Sequence, residues 1–135
     1  MAIKQILCGV DFSEASVHAF ETSVELAHAF NADLHVIHTI EADPSVPNLA
    51  LEGKATRAMD ELVTQAVEKF QDLRLTSDVT TGSAFVEILN AAGQRHSDLI
   101  TLGGKGVTML GERLVGSTSE HIVKEASCSV LIVRE

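Results

Sequence analysis

The chain has no Trp and no Tyr, and five Phe are its whole aromatic content. Its core must therefore be aliphatic, and any bound ring would be gripped mostly by aliphatic groups. Cysteine is almost absent. Cys8 and Cys128 are the only two, with no Cys-x-x-Cys and no disulfide framework. On the strand reading below they fall near opposite ends of two strands. That predicts two free thiols, because a disulfide needs Cα atoms within about 7 Å. Positive charge is scarce as well: 10 Lys and Arg stand against 19 Asp and Glu, a net charge of −9. No Lys/Arg cluster supplies the basic face that binding through nucleic-acid phosphates requires. Any anion site has to be local and made of backbone N–H groups. No run approaches the roughly 20 apolar residues of a membrane span. The apolar run from Ile6 to Val10 is too short for a signal peptide and ends at Asp11. A cytoplasmic location is expected, with no membrane insertion. The six histidines form no metal-ligand pattern. His35 and His38, three apart on a predicted strand, point to opposite faces and read as surface or partly buried side chains.

What is present suits one domain over residues 1–135, with 45% apolar residues to fill a core. Short apolar runs alternate with helical periodicity. "ILCGV" (6–10) and "DLITL" (98–102) read as strands buried on both faces, and "DLHVIHTI" (33–40) and "SVLIV" (129–133) as two more. "LRLTSDVTT" (73–81) alternates like a half-exposed edge strand. Between them lie four helices, with apolar faces at Val17, Phe20, Val24 and Ala27; at Ala55, Met59, Leu62, Ala66 and Phe70; at Val86, Leu89 and Ala92; and at Ile122, Val123 and Ala126. "EADPSVPNLALEG" (41–53) holds both prolines and is expected to be the longest non-periodic connection. Five strands alternating with helices predict an α/β fold, a parallel sheet with helices on both faces. Ligands of such sheets bind beyond the carboxyl ends of the strands, where the strand order reverses.

The segment "LGGKGVTMLGERLVGST" (102–118) carries five of the nine glycines. Two phosphate-binding patterns fail on it. Gly106 and Gly111 have P-loop separation, but Glu112 and Arg113 follow where Lys and Ser or Thr are needed. Gly104 and Gly106 begin a dinucleotide fingerprint that Met109 breaks. A third pattern fits: Gly103-x2-Gly106-x9-Gly116-Ser117. It resembles the nucleotide motif of the ATP-binding branch of the universal stress protein family. "ILCGVDFSEAS", "DLHVIHTIEAD", "SDLITLGGKG" and "LVGSTSEHIVKEASCSVLIV" also resemble that family's strands and closing helix.

The resemblance implies a Rossmann-like sheet of order 3-2-1-4-5 and a regulatory, stress-response protein that binds adenine nucleotide without efficient catalysis. The ligand implied is ATP; ADP and AMP are its shorter forms, and Mg would accompany the triphosphate. Asp11 would accept from the ribose or the adenine amino group. Backbone near Thr39 would read the adenine edge. Gly103 and Gly106 would let backbone approach the ligand, while Gly116, Ser117 and Thr118 would open a helix toward phosphate. Lys105 would add charge, and Gly9, Leu102 and Val107 complete the implied set. Two departures from the family pattern are Gly9, where Pro or Ala is common, and Ser129, where Pro is common. The family's dimer pairs the last strand with its two-fold mate. The apolar Val130, Leu131, Ile132 and Val133, an edge without Pro or Lys, fit a homodimer of that kind.

Plainer readings stand beside these. Ser117 and Glu120 form a capping box, Asp11 or Ser13 caps the first helix, and a glycine loop after a strand is a turn. Two other functional readings also remain open. An ATP hydrolase would need a base or water-orienting group by the phosphates, and Glu112 is the only acid in the glycine segment. A nucleotide-independent interaction module is the other, against which the intact motif argues.

Overall fold

A computed structural model of the chain describes residues 2–41, 45, 47–104 and 117–134, with the side chain of Ser117 excepted. Five strands and four helices alternate: β1 (Gln5–Gly9), α1 (Glu14–Phe30), β2 (Asp33–Ile40), α2 (Asn48–Lys69), β3 (Leu75–Thr81), α3 (Ala84–Gln94), β4 (Leu99–Gly103), α4 (Ser117–Glu125) and β5 (Ser129–Val133). All pairings are parallel, and the sheet order is β3-β2-β1-β4-β5, as the alternation and the resemblance led one to expect.

The two-residue period of the strands sorts the core into two layers. Ile6, Cys8, Leu34 and Val36 face Phe20, Val24, Met59 and Leu62 of α1 and α2. Leu7, Ile37, Ile100 and Leu102 face Ile88 of α3 and Ile122 of α4. Burying each such Leu or Ile contributes about 1.5–3 kcal/mol, so the central strands β1 and β4 carry much of the stability. Within the first layer a small polar cluster is fully buried: Ser23 Oγ and Thr101 Oγ1 lie 2.5 Å apart, Ser23 Oγ also donates to the Ala19 carbonyl at 2.7 Å, and the Cys8 thiol is completely enclosed nearby. Burial pushes that thiol's pKa up, against hydrogen bonding from Thr101 and Ser23. Cys8 and Cys128 are both free thiols: Cys8 lies in β1, Cys128 just before β5, and β4 runs between those two strands.

Two expectations change. The connection after β2 is shorter than 41–53, because α2 already begins at Asn48. Asn-Leu-Ala-Leu-Glu favours helix through its Leu, Ala and Glu. The turn faces solvent, however, with Leu49 81% exposed, so it leaves no apolar stripe for periodicity to detect. In α3 the buried face is set by Ile88, flanked by Phe85, Leu89 and Ala92, while Val86 stands outward. Val123 of α4 is likewise exposed. A spacing of three put Val86 with Leu89 and Ala92; contact with the sheet puts Ile88 there instead.

Candidate functional site

The order reverses between β1 and β4: the chain proceeds from β1 outward through β2 and β3, then returns to β4 and moves outward the other way. At that point, beyond the strands' carboxyl ends, lies a crevice of about 180 Å³. Its floor holds Gly9, Ile37, Ile88 and Leu102, and its rim holds Asp11, Thr39, Gly103 and Thr118.

The turn after β1 is built tightly. Val10 N–H donates to Ile37 O at 2.9 Å, carrying the β1–β2 pairing one step past the strand. Asp11 Oδ1 then accepts from Ser13 N–H at 2.9 Å, and Asp11 N–H donates to Ser16 Oγ at 3.2 Å. Ser13 is the N-cap of α1, and its hydroxyl accepts from Ser16 N–H at 3.3 Å. Both plainer readings of this segment therefore hold in part: Ser13 caps, and Asp11 braces the turn. Phe12, between them, has φ 64°. A left-handed conformation at a bulky residue costs on the order of 1–3 kcal/mol. It is held by a tilted ring contact with His38, with centroids 4.5 Å apart, while His38 Nδ1 donates to Val10 O at 2.8 Å.

Two glycines at the crevice have steric reasons. A Cβ on Gly9 would come within 2.8 Å of Ile88 Cδ1 and 3.0 Å of Leu102 Cδ2. A Cβ on Gly103 would meet backbone, 2.6 Å from both Ala15 C and Ser16 N. Gly103 thus allows the first turn of α1 to sit directly against the end of β4. The packing of α1 against β4 calls for glycine there.

Gly9, Asp11, Thr39, Leu102, Gly103 and Thr118 come together at one crevice. Lys105, Gly106, Val107 and Gly116 lie outside the described residues, as does Ser117's side chain; its backbone opens α4. Sequence reasoning missed Val10, Ser13, Ser16, Ile37, Ala84, Ile88 and Ser119 as site residues, which also line the crevice. Ser16 and Ser119 could have been found from their places beside the Asp11 turn and the Gly116-Ser117 pair. Ala84 and Ile88 carried no signal, because α3 reaches the crevice only through the tertiary packing. Among the described lining residues there is no Lys or Arg. Among the described residues no three of His, Cys, Asp and Glu gather as a metal-ligand group, and no helix is long and apolar enough to cross a membrane.

An open parallel sheet with its crevice at the reversal point and glycine at two strand ends defines an α/β domain with a rim site of the kind that accepts small ligands. The sequence model of the universal stress protein family matches residues 2–134. The chain belongs to that family. It is 28% identical to Universal stress protein MJ0531 of Methanocaldococcus jannaschii, across 98% of this chain and 82% of the relative. Its fold superimposes on universal stress protein UspA from Lactobacillus plantarum with a TM-score of 0.83 at 27% identity, covering 99% of both chains. A universal stress protein solved in complex with cAMP gives a TM-score of 0.74 at 23% identity over 98% of each chain.

Proposed function

We propose that this chain binds an adenine nucleotide, ATP foremost, in the crevice between β1 and β4, and acts as a regulatory stress-response module without efficient hydrolysis. The observation that carries the reading is the convergence of Gly9, Asp11, Thr39, Gly103 and Thr118 on one crevice, with the chain continuing from Gly103 into the Gly-x2-Gly-x9-Gly-Ser spacing. The structure of a universal stress protein with cAMP supports a ligand of the same chemical class. Asp11, braced by Ser13, is suited to accept from ribose or adenine N–H and O–H groups. The amino end of α4 favours phosphate through its dipole and its backbone N–H groups. ADP and AMP would occupy the same crevice with fewer contacts, and Mg would enter only with the triphosphate. The protein would act as a homodimer joined through β5. Mass spectrometry of whatever leaves the purified protein on denaturation, together with calorimetric titration of ATP into the emptied chain, tests the reading. Release of no adenine nucleotide and no heat with ATP, AMP or adenosine would refute it.

A further inference from the structure

Glu41 follows β2 by one residue. Its Oε1 accepts a hydrogen bond at 3.1 Å from the backbone N–H of Ala84, the first residue of α3. Beside it, Gly82 N–H donates to Ile40 O at 3.0 Å, pinning the chain that enters α3 to the chain that leaves β2. Ser83, at the N-cap position, makes no capping bond with its own side chain. The acceptor for the first N–H of α3 therefore comes from the segment that leaves β2, and Ala84, which it holds, lines the crevice.

A helix amino end carries about half a positive charge and unsatisfied N–H groups, which makes it a natural seat for phosphate. At α3 a carboxylate of the chain already occupies that seat. At α1, Ser13 Oγ and Asp11 Oδ1 engage the first donors in the same way. The β1–β2 side of the crevice thus has one acid on its lining, Asp11, and a second, Glu41, bonded to the lining residue Ala84, with no Lys or Arg among the described lining residues. Phosphate placed there would meet acceptors and negative charge; hydroxyl and amino groups would meet acceptors they can donate to.

We propose that Glu41 is a specificity-determining residue of this crevice: by capping α3 it denies that helix end to phosphate, reserves the β2 side for the hydrogen-donating nucleoside, and so turns the phosphates toward α4. The inference rests on the adenine-nucleotide reading above.

The test uses amide NMR of the full chain with sodium pyrophosphate, a probe that carries no nucleoside. In the parent, pyrophosphate at millimolar concentration should leave the Ala84 and Phe85 amides unmoved. In Glu41→Ala, both amides should move saturably, with apparent affinity at least tenfold above the parent's. Glu41→Gln keeps an acceptor for Ala84 and removes the charge; its response should have the same direction and be smaller. Circular dichroism checks folding, and Glu41→Gln decides the matter if the alanine variant does not fold. Movement of Ala84 in the parent, or no movement in the folded variant, overturns the proposal. Adenosine is titrated separately. A parent that binds neither adenosine nor ATP defeats the nucleotide reading without altering what pyrophosphate reports about Glu41.

Discussion

Gly103 shows how much one missing methyl group settles. A Cβ there would stand 2.6 Å from the backbone of α1, and backbone cannot rotate out of the way as a side chain can. Gly103→Ala should therefore cost on the order of 1–3 kcal/mol, the usual range for overpacking, read as a lower urea midpoint with the nucleotide absent. A glycine needed only for ligand approach would leave that midpoint unchanged. The proposed nucleotide contacts separate by a different measurement. Asp11→Ala should weaken ATP and adenosine alike, because Asp11 is assigned to the nucleoside end. Ser117→Ala should weaken ATP by about 1 kcal/mol, the loss of one hydroxyl contact. Gly116→Val, with a branched Cβ at the helix entry, should nearly abolish ATP binding in a chain that stays folded. Titration calorimetry of the three variants checks these orders, and a Gly116→Val protein that binds ATP like the parent would reduce the motif to a turn.

Among the elements, the strands were the most legible. β2 and β5 have the bounds their apolar runs announce, because strands buried or half-buried in a parallel sheet must be apolar wherever they meet a helix layer. The first turn of α2 and the buried face of α3 were not legible, since each depends on what lies opposite. The site divides similarly. Glycine spacing and Asp11 could be read locally, whereas Ala84 and Ile88 reach the crevice, and Glu41 reaches Ala84, only once α3 is docked. His35 is another such case. Alternation placed it on a face, but only the fold buries it, with Nδ1 2.6 Å from Thr76 Oγ1. Desolvation, and then the nearby Arg95 charge, lower its pKa to about 4, against an opposing pull from Asp78. The folded chain therefore refuses a proton that the unfolded chain accepts near pH 6.5. The stability tied to neutral His35 is complete above that pH and is lost as pH falls toward about 4. Urea midpoints at pH 7 and pH 5 should differ more for the parent than for His35→Gln, which can still bond Thr76. Equal differences would show that His35 does not contribute to the acid sensitivity.

For the whole molecule, the open question of assembly turns on β5, which ends the sheet. Ile132 packs into the second core layer, whereas Leu131 is 36% exposed. Leu131→Lys is thus the cleaner probe of pairing through this edge: it should shift light scattering from dimer to monomer while circular dichroism stays that of the parent. A parent that scatters as a monomer at high concentration would remove the pairing altogether, and a dimer indifferent to the substitution would move it to another surface.

The enclosed Cys8 thiol has a use in measurement. Because Cys8 is wholly buried and Cys128 only partly, a thiol-reactive dye should label position 128 first and reach position 8 only when the sheet opens. The slow phase of labelling is then a clock for opening, one that reads a single central strand without heat or denaturant. Any ligand that prefers the closed form must slow that clock in proportion to 1 + [L]/Kd when opening is fast relative to labelling. Adenosine, AMP and ATP could be ranked by it in one set of tubes, and a nucleotide that leaves the slow phase untouched would be shown not to favour the closed chain.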